Sequence, residues 1–106
     1  MNSIGWIYLF IAGLFEIGFT TSLKLMDGHK NIPWSIAFYV TVILSFGFSQ
    51  EATKSLPLGT AYAVWTGIGA AGTFIIGVLF FNDPSILLRW IGVSLIILGV
   101  IFLKVA

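Results

Sequence analysis

"IGWIYLFIAGLFEIGFTTSLKLM", residues 4–26, is a run of aliphatic, aromatic and small residues that holds one carboxylate, Glu16, near its middle. A helix needs about 20 predominantly apolar residues to cross the hydrocarbon core of a bilayer, and this stretch supplies roughly 23. It is too long for a signal-peptide core, and neither a basic leader nor a small-residue cleavage pattern accompanies it. The expectation is a retained membrane span with an ionisable group close to the midplane.

The rest of the chain repeats the pattern. Apolar stretches at about 34–50, 58–81 and 86–103 follow the first at about 4–26. They are separated by "DGHKN" (27–31), "EATKSLP" (51–57) and "NDPS" (82–85), each rich in turn formers or helix stops. Connections this short make consecutive helices antiparallel neighbours. The expected fold is an all-α integral membrane protein, one domain over residues 1–106, with four transmembrane helices per protomer. Trp6, Tyr8, Trp34, Tyr39 and Trp90 lie near span ends, where amphipathic rings prefer the interface.

Composition agrees with this reading. Of 106 residues, 58% are hydrophobic and 8% charged, and mean hydropathy is +1.06. Soluble domains carry about 25% charged residues. A net charge of +1 without a basic cluster argues against a nucleic-acid partner. The chain has no cysteine, hence no disulfide framework and no thiolate metal site. There is no nucleophile–base pair, phosphate loop or metal-ligand cluster to support an enzyme or a bound cofactor. His29 is a lone loop residue.

Four helices enclose little space, so the expectation is an oligomer. Lys54 and Lys104 fall on one side of the membrane and Lys24, Lys30 and Arg89 on the other, a two-against-three balance. So small a bias lets the chain insert both ways, which permits an antiparallel dimer of identical or similar chains.

Glu16 raises the functional question. A charged carboxylate at the midplane costs about 2.5–3.5 kcal/mol on insertion scales, and intramembrane acids mark ion or substrate pathways. Asp27, Glu51 and Asp83 all stand at span ends, so Glu16 alone can exchange a proton for a cation inside the membrane. The plain alternative is a protonated glutamate that only bonds helices together. Gly13, Phe19 and Thr20 lie three or four residues away and share its helix face. They provide room, an aromatic wall and a hydroxyl. In "GTAYAVWTGIG" (59–69), Tyr62 and Trp65 put two rings with donors on one face of the third helix. Rings beside a carboxylate attract organic cations, and either donor can hold Glu16; the same stripe also reads as ordinary core packing. Gly67, Gly69, Gly72 and Gly77 serve equally as close contacts or as a bend. "GVSLIILGV" (92–100) sets Gly92 and Gly99 seven apart beside Leu95, Ile96 and Val100, a seam suited to dimerisation.

"GLFEI" (13–17), Lys24, "ATKSLPLGTAYAVWTGIGA" (52–70) and "GVSLIILGV" together resemble the small multidrug resistance family over essentially the whole chain. The resemblance implies an antiparallel dimer in a bacterial inner (plasma) membrane that exports small organic cations in exchange for protons. Both copies of Glu16 would line one pocket, and proton and substrate would compete for them. It assigns aromatic partners to Tyr62 and Trp65, a pocket serine to Ser45, a bend to Gly67 and Gly69, and a dimer seam to Gly92 through Val100. The third-span block is similar to the guanidinium-exporting branch. That branch has Trp at the position of Phe19 and an aromatic at that of Gly47. Phe19 cannot donate a hydrogen bond, and both changes enlarge the pocket, which suits alkylated or quaternary ammonium compounds or a subunit of a two-gene pair.

Overall fold

The computed structural model describes residues 3–106. Four helices follow in order: α1 Ser3–Leu25, α2 Ile32–Thr53, α3 Leu58–Phe80 and α4 Leu87–Val105. Each is long and apolar enough to cross a membrane. The described part of the chain is all-α.

α2 departs most from the sequence expectation, starting two residues before position 34 and running three past position 50. Pro33 falls in the first turn, where its missing N–H costs no helical bond, and Asn31 caps the helix by accepting from Trp34 N at 3.2 Å. At the other end, Thr53 Oγ1 donates to Gln50 O at 2.7 Å, and Glu51 pairs with Lys54 at 2.9 Å. A polar last turn outside the hydrocarbon extends the helix beyond the apolar run.

The turns follow their residues. Between α1 and α2, Asp27, Gly28 and His29 all have positive φ, a region open to glycine and unusual for other residues, with Asp and His among those enriched there. Between α3 and α4, Asn82 at φ 57° turns the chain back, and the N–H groups of Phe81 and Asp83 both donate to Gly77 O. That second turn draws Asp83 in against the end of α3.

The helices form an open layer rather than a closed bundle. α1 packs against α2 and α3, α2 touches α3 only slightly, and α4 packs its backbone against α3 alone. The Cα trace measures 43 × 34 × 16 Å. Buried apolar residues Leu9, Ala12, Ala52, Ala61, Val64 and Trp65 gather where the first three helices meet. Small side chains there bring backbones close, which drives association where lipid offers no hydrophobic gain. α4 buries Val93 and leaves Leu87, Leu88, Leu95 and Phe102 exposed.

Candidate functional site

α1 and α3 interlock through glycines. Ile68 fills the space above Gly13, Ile17 lies on Gly72, and Glu16 lies on Gly69. A Cβ at Gly69 would collide with the Glu16 carboxylate, so the missing side chain on α3 is what admits the acid. Among the described residues, Glu16 Oε1 is the buried side-chain polar atom that finds no hydrogen-bond partner. Buried polar atoms in native structures are nearly all hydrogen-bonded, so an unpaired one marks a position with a role beyond packing.

The carboxylate opens on a cleft of about 420 Å³ lined by Glu16, Thr20, Thr66, Gly69, Ala70, Thr73, Phe74 and Asp83. Its hydroxyls are already engaged. Thr66 Oγ1 donates to Tyr62 O at 2.8 Å, and Thr20 Oγ1 donates to Ile17 O at 3.0 Å. A hydroxyl has one proton, so Thr73 is the donor in the 2.7 Å contact between Thr73 and Thr20. None of the three reaches Glu16. Glu16 therefore lines the cleft with a carboxylate that no protein donor satisfies at Oε1, the oxygen tucked against Gly69.

The aromatic residues are arranged differently from the expectation. Trp65 is buried, but its indole N–H donates to Ser45 Oγ at 2.9 Å, and Ser45 donates to Ala12 O at 2.8 Å. One of the two donors able to hold Glu16 thus ties α3 to α2, and Ser45 ties α2 to α1. Tyr62 is 59% exposed and edge-on to Trp65 at 6.0 Å, outside the cleft lining. Phe19 packs edge-on against Phe38 of α2 at 6.2 Å instead of walling the carboxylate. Ile68 occupies the room that Gly13 leaves. Of the residues singled out around Glu16, Thr20 shares its cleft.

The chain matches the model of the family described as Small Multidrug Resistance protein over residues 4–96. The chain belongs to this family. It is similar to proteins named Guanidinium exporter: 43% identical to that of Proteus vulgaris, with 97% of this chain and 99% of the relative aligned. Identity is 44% to the Yersinia pestis protein at the same coverage, and 41% to the Escherichia coli K12 protein, with 97% and 98% covered. Family membership and four spanning helices make the chain a multi-pass transporter of the bacterial inner membrane, not an enzyme.

The family's other expected features also have places in this member. α3 runs unbroken through Gly67 and Gly69, and both act here as seats: Gly67 receives Val100 and Ile96 of α4, and Gly69 receives Glu16. The expected dimer seam divides in two. Val100 and Ile96 turn toward α3, whereas Gly92 and Gly99 face open space and Leu95 is 63% exposed.

Sequence reasoning missed Ala70, Thr73, Phe74 and Asp83 as cleft residues. Thr73 carried a signal, lying four residues after Gly69 and seven after Thr66 on one helical face. Asp83 carried none, because a fold-back through a left-handed Asn82 cannot be read from spacing.

Proposed function

We propose that this transporter exports small organic cations, guanidinium and its substituted forms foremost, in exchange for protons bound at Glu16. The observation that carries the reading is the buried, unpartnered Oε1 of Glu16 in a cleft at mid-span. An unsatisfied carboxylate in hydrocarbon has two ways to lower its energy, taking up a proton or taking up a cation. The two are mutually exclusive on one oxygen, so each displaces the other and exchange follows. A guanidinium ion suits the acceptor, since its N–H groups form charge-assisted bonds with a carboxylate. The names of the relatives at 41–44% identity support the same substrate class.

We propose further that the working unit is an antiparallel dimer, of identical chains or with a similar one, in which two copies of Glu16 face a common pocket and access alternates. The near-balanced charges, the thin open layer and the exposed outer face of α4 support it. Pairing would also bring the exposed ring of Tyr62 toward a shared substrate, with Trp65 and Ser45 behind it holding α3 to α2 and α1. Gly67 and Gly69 would then bend α3 as access changes. Gly92, Leu95 and Gly99, with Ile96 and Val100 behind them, would form the contact.

A broader selectivity that includes quaternary ammonium compounds is favoured by one observation. Gly47 meets nothing within 4 Å and opens on a groove with Val42, Ile43, Phe46 and Gln50, while Phe19 is committed to Phe38. Both leave space where an ordered donor or ring would narrow the choice. The test is transport in proteoliposomes under an imposed proton gradient, with guanidinium, phenylguanidinium and tetrapropylammonium each offered to parent and Glu16→Gln protein. Gradient-driven movement lost in Glu16→Gln is expected, and equal transport by both proteins rejects the mechanism.

A further inference from the structure

The cleft that holds Glu16 at one end holds a second carboxylate at the other. Asp83 lies in the turn after α3, and a Cβ at Gly77 would collide with its carboxylate, as one at Gly69 would with Glu16. Two acids are thus seated on two glycines of one helix, eight residues apart, or about 12 Å along its axis. The cleft lining joins them, with Thr73 and Phe74 between. Asp83 is held in place by backbone: Asn82 takes a positive φ, and the Asp83 N–H donates to Gly77 O at 3.1 Å. Its side chain pairs with no cation, since the ion pair among the described residues is Lys54–Glu51. Lys24, on the same side, lies over the Phe81 ring at 5.1 Å instead of reaching Asp83.

We propose that Asp83, seated over Gly77, is an outer cation station that captures the organic cation at the cleft mouth and passes it to Glu16. This rests on the proposed cation export and adds a capture residue to it. An exposed carboxylate beside a low-dielectric cleft concentrates positive charge there, which speeds encounter more than it tightens the final complex. Glu16, with its unsatisfied oxygen, is the deeper end of the path. Lys24 works against capture, two residues from Asp83 in contact with Phe81. In an antiparallel pair the two copies of Asp83 would guard opposite membrane faces, one station for each direction of access.

The experiment measures initial rates of guanidinium uptake by purified protein in liposomes against concentration, at about 10 mM and about 1 M potassium chloride. The screening length falls from about 30 Å to about 3 Å between them. Asp83→Asn keeps the shape and the backbone turn. At low salt it is expected to raise KM about tenfold, the lower end of steering effects, with the maximal rate unchanged; at high salt the difference closes. Asp83→Glu should behave as the parent. Gly77→Ala should shift KM the same way by less, since it displaces the charge instead of removing it. Lys24→Gln should lower KM at low salt. A KM within twofold of the parent at low salt overturns the proposal, and so does a loss that is equal at both salts. If Asp83→Asn is not monodisperse in detergent, Asp83→Ser serves in its place. An inactive Glu16→Gln beside an unaffected Asp83→Asn rejects the station alone, whereas an active Glu16→Gln rejects the exchange mechanism on which the station depends.

Discussion

The α1–α3 seam and α4 are built from similar residues and stand in opposite conditions. On the seam every glycine named above is occupied: Ile68 on Gly13, Glu16 on Gly69, Ile17 on Gly72. On α4, Gly92 and Gly99 meet nothing, and the aliphatic ridges beside them are exposed. In water that contrast would mark one finished surface and one unstable one. In lipid it has a different meaning, because exposed Leu and Ile cost nothing there, and close packing of small residues is what distinguishes a helix contact from a lipid-facing side. The seam is complete within one chain and holds Glu16. α4 holds no acid and is left for lipid or for a second chain.

The largest expected effect tests whether the seam's chemistry is what matters. Glu16→Gln should abolish proton-driven cation exchange, because the amide neither takes up the exchanged proton nor carries the charge that holds the cation. Substrate affinity of the parent should fall as pH drops, by up to about tenfold per unit once the carboxylate is being protonated, because protonation removes the attracting charge. Titrating guanidinium binding between pH 5 and 9, with Glu16→Gln as the control, checks both. An affinity independent of pH would show that proton and cation do not share the site.

Next in size is the packing of the seam itself. Gly13→Ala brings the new methyl group to 2.8 Å from Ile68 Cβ, an atom fixed to the α3 backbone, so the helices must separate. Overpacking of this kind costs about 1–3 kcal/mol. Gly69→Ala collides instead with the end of a flexible side chain. It should fold nearly as the parent does but displace Glu16 and lose exchange. Unfolding in SDS paired with transport separates these outcomes, and a Gly13→Ala protein as stable as the parent would mean that the seam is looser than described.

The same substitution on α4 sharpens the contrast. Gly99→Ala meets nothing inside the protomer and should change its stability by less than about 0.5 kcal/mol. Gly99→Leu fills a gap that a partner would need. It should weaken self-association, read by cross-linking in membranes, while helicity stays that of the parent. If both α4 variants leave association untouched, the partner does not dock on this face.

Much of this was legible in the sequence, and the reasons differ from place to place. The four spans follow from length and apolarity alone, since only a helix satisfies its own backbone in lipid. The helix ends followed less well at α2, where Asn31 and the Glu51–Lys54 pair extend a helix past its apolar run. Glu16 stood out because a charge in such a run has a cost that needs a reason. Its surroundings did not follow from helical spacing. Phe19 and Gly13 do share its face of α1, but a face spans about a third of the circumference, and neighbours on α2 and α3 decided which side chain went where. Trp65 found Ser45, twenty residues away in sequence, and no periodicity on one helix reveals a bond between two.

That bond supports the smallest prediction. Ser45 is fully buried and accepts from Trp65 Nε1 while donating to Ala12 O, so one hydroxyl joins three helices. Ser45→Ala leaves an indole N–H and a carbonyl without their partner. The carbonyl still accepts within α1, so the indole carries the loss. Interhelical hydrogen bonds in membranes average about 0.6 kcal/mol by double-mutant cycle, with a maximum near 1.7, because the separated helices also find partners in lipid. A cost of about 1 kcal/mol is expected, well below that of Gly13→Ala. Trp65→Phe removes the donor and keeps most of the ring, so the double variant should cost less than the sum of the two single ones. Additive costs in that cycle would mean that the two residues act apart, and that close packing at the seam, not the hydroxyl, sets the position of α2.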